Sequence, residues 1–121
     1  MNKDSICIDN ELNLFNGLTF DDFKSTSFYN NQSDNRFFWI NKSCTIDGIN
    51  NTFKVGLWFK NNKLRQVQLV CIDDYIKNEL ERGVIHNKII KQLLDRYTIP
   101  KNNIYGFYDN HDCFSYIIIN F

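Results

Sequence analysis

The stretch "NTFKVGLWFKNNKLRQVQLVC", residues 51 to 71, decides the fold. Phe53, Val55, Leu57 and Phe59 alternate with Lys54, Gly56 and Trp58, and after the pair Asn61-Asn62 Val67, Leu69 and Cys71 alternate with Gln66 and Gln68. A period of two on both sides of a turn signal predicts a β-hairpin with one apolar face. A two-residue turn would put Phe59 opposite Leu64 and Leu57 opposite Gln66, so the apolar faces would fall out of phase. Either the loop is odd-numbered with an Asn at positive φ, or a bulge near Leu64 resets the register.

Working outward from that hairpin, residues 6 to 14, "ICIDNELNL", read as one half-buried strand with Ile6, Ile8, Leu12 and Leu14 on its inner face. Gly17 breaks the pattern. Thr19, with Asp22 three residues later, is an N-cap signal, and acids in a first turn suit the positive end of a helix. A short helix is therefore predicted within "LTFDDFKSTSFY", with Phe20 and Phe23 pointing the same way. The segment "RFFWINKSC", residues 36 to 44, reads as a further strand.

From Asp73 to Tyr97 the period lengthens to that of a helix, carried by Ile76, Leu80, Ile85, Ile89, Ile90, Leu93, Leu94 and Tyr97. Gly83 either splits this stretch or only weakens it. Pro100 closes it, and residues 105 to 108 and 113 to 121 form a last hairpin. The predicted order is β-α-β-β-β-α-β-β. Hairpin connections dominate, so the fold class is α+β: a single antiparallel sheet with the helices packed on one face, in one domain spanning residues 1 to 121.

Composition narrows the function. Fourteen basic and fourteen acidic residues cancel, so no global field draws the chain onto nucleic acid or anionic lipid. No hydrophobic run is long enough for a membrane helix, and the N-terminal residues lack a secretory pattern, which predicts a cytoplasmic protein without membrane contact. Local charge is uneven: residues 54 to 65 carry Lys54, Lys60, Lys63 and Arg65 with no acid, while residues 1 to 22 carry one lysine against Asp4, Asp9, Glu11, Asp21 and Asp22. Cys7, Cys44, Cys71 and Cys113 form no C-x-x-C pair, which removes the common zinc and thioredoxin signals.

The densest chemical cluster is the closing turn "YDNHD", with Asp109, His111 and Asp112. A carboxylate orienting an imidazole can activate water or the Cys113 thiol. Asp and Asn also favour tight turns because their side chains bond local backbone groups and tolerate positive φ, and the cluster is read first as the tip of the last hairpin. His86 and His111 are the only imidazoles and sit in no metal-ligand spacing, and no phosphate-cradling glycine motif occurs. No cofactor or metal is expected. Phe37, Trp39, Trp58 and Tyr116 are candidates for a binding surface, since Trp58 falls opposite the main apolar face; the alternative is a second core layer under a helix or loop.

The combination of "GLTFDDFKSTSFY", "FKVGLWFKNNKLRQVQL", a Glu- and His-bearing helix and "YGFYDNHDCFSYIIINF" resembles small bacterial immunity-type proteins, the cytosolic antidotes of polymorphic and contact-dependent growth-inhibition toxins. The resemblance implies a non-enzymatic protein that binds and neutralises one cognate toxin domain, as a monomer or weak dimer. Many antidotes to nucleases are strongly acidic, and this chain is neutral. Its candidate partner contacts are Asp21, Asp22, Trp58, Asp73, Asp74, Glu79, Asp109, His111 and Asp112. Two alternatives stand beside this reading: a small enzyme or ligand-binding domain using the Asp109/His111/Asp112 turn, and a self-associating structural subunit.

Overall fold

Asn61 and Asn62 both adopt positive φ, 53° and 65°, a conformation that Asn tolerates better than most residues. They close the central hairpin between β5, Ile49–Lys60, and β6, Lys63–Cys71. Lys60 pairs with Lys63 and Phe59 with Leu64, then the register shifts so that Trp58 faces Gln66 and Leu57 faces Val67. The turn is therefore two residues long. Arg65 is the extra residue of a bulge, which returns Leu64, Val67, Leu69 and Cys71 to the buried face shared with Phe53, Val55, Leu57 and Phe59.

A computed structural model describes residues 4–29, 37–72, 79–109 and 114–121. All eight strands belong to one antiparallel sheet, ordered β2-β1-β4-β5-β6-β8-β7, with β3 also paired to β5. The observed order is β-β-α-β-β-β-β-α-β-β, so the α+β class holds while two predicted strands each divide. Residues 6 to 14 fold back on themselves as β1, Ile6–Ile8, and β2, Leu12–Leu14, because Asp9 and Asn10 both enter the left-handed region. The pairing Ile6↔Leu14 and Ile8↔Leu12 keeps all four apolar residues buried.

The segment 36 to 44 likewise divides into β3, Phe37–Trp39, and β4, Cys44–Ile46, laid end to end along the same edge of β5. Between Trp39↔Gly56 and Cys44↔Phe53, the residues 40 to 43 face only Lys54 and Val55, which interrupts the ladder. Asp47 and Gly48 turn β4 into β5. Gly48 has φ +85°, and a Cβ there would strike the Arg96 side chain.

Helix α1, Phe20–Lys24, is capped by Thr19, whose hydroxyl accepts the Asp22 N–H at 3.0 Å. Its start is strapped to the central hairpin: the Phe20 N–H donates to the Asn62 carbonyl at 3.0 Å, and the Leu64 N–H donates to the Leu18 carbonyl at 2.8 Å. Phe23 is fully buried against Phe38 and Phe59. Helix α2, Glu79–Arg96, runs unbroken through Gly83, so that glycine weakens the helix without splitting it.

After a 3-10 turn at Lys101–Asn103 come β7, Ile104–Asp109, and β8, Phe114–Asn120. A Cβ on Gly106 would lie 3.6 Å from His86 and 3.9 Å from Ile90, so α2 crosses the face that also buries Ile117 and Leu69. Both helices thus pack against the same side of the sheet.

The far end of α2 docks on the β4–β5 turn, where Arg96 pairs with Asp47 at 2.9 Å and the Tyr97 hydroxyl donates to the Asp47 carbonyl at 2.9 Å. Gly48→Ala is expected to cost about 1–2 kcal/mol from backbone strain alone. Adding Arg96→Ala should restore only the steric part of that loss, which urea unfolding of the two variants would measure.

Candidate functional site: the open face of the sheet

Register places one set of side chains on the face that the helices leave uncovered. One cross-strand row runs Trp39, Gly56, Gln68, Ile118, Tyr105, and the next runs Phe37, Trp58, Gln66, Asn120. Phe107 and Tyr116 pair beyond them and stack at 5.3 Å with rings 17° apart. Trp58 is 37% exposed, Tyr105 43% and Phe107 44%. Six aromatic residues on one sheet face, three of them this open, form an exposed apolar patch of the kind that marks interaction surfaces.

Local chemistry holds this patch in shape. Gly56 lacks the Cβ that would come within 2.7 Å of the Phe37 ring and 3.0 Å of Trp39, so both rings lie across β5. Phe37 and Trp39 contact each other at 5.2 Å. In the middle the Gln68 amide donates to Gln66 at 2.9 Å, and the Gln66 amide donates to Asn120 at 2.9 Å. This chain of amides crosses two strands and stiffens the centre while leaving polar atoms for a ligand.

Beside Trp58 the face opens into a concavity of about 730 Å³ between α1 and the Asn61-Asn62 turn, lined by Phe20, Asp21, Lys24, Phe59 and Lys60. Asp21 is anchored there: its N–H donates to the Asn62 side-chain oxygen at 3.3 Å, its carboxylate accepts from the Asn62 amide at 3.3 Å, and Lys24 lies 3.7 Å away. Of the candidates taken from sequence, Asp21 and Trp58 meet in this concavity. Asp22 is exposed in the first turn of α1 and does not line it.

Asp109 ends β7, paired with Phe114, and Glu79 opens α2; the side chains of both lie outside the described residues. Asp73, Asp74, His111 and Asp112 also lie outside the described residues. Asp109↔Phe114 is the last described pair of β7 and β8, and the reading of residues 110–113 as a hairpin tip lies outside the described residues.

Two buried groups sit away from this face. His86 is buried over Gly106 on the helix side. Cys44 has its thiol pushed up to about 11, chiefly by burial and further by the Asp9 charge, which keeps it protonated and poorly nucleophilic. Asp9 accepts from the Thr45 N–H at 2.7 Å and its hydroxyl at 3.1 Å, and pairs with Lys42 at 3.3 Å.

Burial alone would raise the Asp9 carboxyl, but the Thr45 and Lys42 contacts outweigh it and hold the group below its ordinary value of 3.8. A depressed carboxyl stabilises the fold above its unfolded value and loses that contribution as pH falls through the lower folded value. Asp9→Asn is therefore expected to cost about 1 kcal/mol at neutral pH. The gap from the parent should close in melts below pH 3.8.

Among the described residues no group of three His, Cys, Asp or Glu is arranged to hold a metal ion, and no helix is long and apolar enough to cross a membrane. No protein-family model matches the chain, and comparison with curated proteins and with solved structures finds no match. Sequence reasoning picked out Phe37, Trp39, Trp58 and Tyr116 and missed Tyr105 and Phe107. The period-two spacing Tyr105, Phe107 within "IYGFYD" was the available signal.

Proposed function

We propose that this chain is a non-enzymatic binding module of the immunity type, which neutralises a cognate toxin domain by laying the open face of its sheet against it. The observation that supports the reading is the gathering of Phe37, Trp39, Trp58, Tyr105, Phe107 and Tyr116 on the face opposite both helices. Aromatic side chains give large contact area at low entropic cost and dominate binding hot spots. A specific interface of standard size takes roughly 800 Å² from each partner, which a sheet face of five strands can supply.

The finer topology also fits this role. The interrupted β3–β4 edge and the bulge at Arg65 twist the sheet locally while leaving the face continuous from Trp39 to Tyr105. The decisive experiment is co-expression with the C-terminal domain of the protein encoded immediately upstream. Rescue of growth together with a stable one-to-one complex supports the proposal; a toxic domain that the chain neither binds nor neutralises ends it.

A further inference from the structure

Three lysines break the neutrality of the chain on the open face. Because β5 alternates without interruption, Lys54 and Lys60 share the side of Trp58, and Lys63 lies directly opposite Lys60 across the turn. All three are exposed. Like charges directly opposite in a ladder are destabilising, and among the described residues none of the three forms an ion pair, whereas Lys24, Lys42 and Arg96 each do. The described carboxylates that border this side of the sheet are already held, Asp9 by Lys42 and Thr45 and Asp21 by Lys24 and Asn62.

Resting on the reading of this face as the binding surface, we infer that the partner is a protein whose contacting surface is acidic around an apolar centre. The carboxylates sit over Lys54, Lys60 and Lys63, and the apolar part sits over Trp58 and the aromatic rows. A second copy of the chain is the poorer match, since the described carboxylates that border the face, Asp9 and Asp21, are already paired with Lys42 and Lys24. The sign also restricts what is covered. A cleft that holds nucleic acid carries cations to neutralise phosphates, so the surface that fits this face is not such a cleft.

The test uses the whole chain and, as probe, the purified domain encoded immediately upstream, with association rates measured at low salt and at about 300 mM salt. Lys54→Glu/Lys60→Glu/Lys63→Glu is expected to slow association by about tenfold or more at low salt and to reverse its salt dependence, since salt then screens a repulsion. The control Lys88→Glu/Lys91→Glu reverses exposed charges on α2, which covers the opposite face, and should leave both unchanged. Binding that survives the triple change but is lost on Phe107→Ala would overturn the acidic partner and keep the binding face. Binding indifferent to both would overturn the face itself. The same proteins titrated with single-stranded oligothymidine provide the remaining outcome: saturable binding that the triple change removes would assign the lysines to nucleic acid and refute the inference. A chain that runs as a dimer by light scattering, with the dimer lost on Trp58→Ala, would refute it in favour of a second copy.

Discussion

Phe23→Ala is expected to remove about 3–5 kcal/mol of folding stability, the cost of deleting a fully buried aromatic ring and leaving its cavity. Phe23 sits at the centre of a ring cluster, with Phe38 at 5.0 Å, Phe59 at 5.6 Å, Tyr29 at 6.2 Å and Phe20 at 6.3 Å. It is also the main apolar anchor of α1, a helix of only five residues that would not persist alone. Removing the ring thus opens a void and frees the helix together. Natural domains hold roughly 5–15 kcal/mol in total, so this one change should lower the midpoint of thermal unfolding by roughly 10–20 °C. Phe23→Leu, which keeps most of the volume, should recover more than half of the loss. A loss below about 1 kcal/mol for the alanine variant would mean that α1 is not docked as described.

Trp58→Ala is expected to have its large effect on binding, a loss of about 2–4 kcal/mol of affinity for the partner, with folding stability changed by only about 1 kcal/mol. Trp58 stands where the aromatic rows of the open face meet the concavity beside α1, opposite Gln66 and Phe37. Hot spots favour large aromatic side chains that the partner can seal from water, and Trp58 is 37% exposed beside Phe37. Val84→Ala is the control, since Val84 is an exposed apolar residue on α2, away from the face. Calorimetric titration of the upstream-encoded domain into both variants, alongside thermal melts, separates the outcomes. Equal affinity for the parent and Trp58→Ala would remove the open face from the binding surface.

The elements with strong local signals were legible in sequence. Thr19 three residues before Asp22 marks the start of α1, and the long helical period marks α2, because capping and amphipathicity are short-range properties. The mismatch of apolar phase around Asn61-Asn62 even required a register device, and Arg65 supplies it as a bulge. Where strands divide, periodicity misled: Ile6, Ile8, Leu12 and Leu14 share a face equally well in one straight strand and in a hairpin folded about Asp9-Asn10. The Asp47-Gly48 dipeptide, a strong hairpin signal, announced the β4–β5 turn and went unread.

The sites divide in the same way. Acidic residues spread along the chain from Asp21 to Asp112 looked equivalent as possible contacts, because a carboxylate has no sequence pattern that says which face it joins. The docking of α1 on the Asn61-Asn62 turn put Asp21 with Trp58 in one concavity and left Asp22 outside it.

By itself the sequence determined that the chain builds an antiparallel α+β sheet with two helices, since alternation, capping and helical period are set by neighbours a few residues apart. Only the tertiary structure decided that the six aromatics share the face opposite the helices, and that Lys54, Lys60 and Lys63 stand among them with no ion pair among the described residues. Those facts depend on which strands pair and in what register. Residues as distant as Trp39 and Tyr105 become members of one row only when three strands lie between them in the right phase.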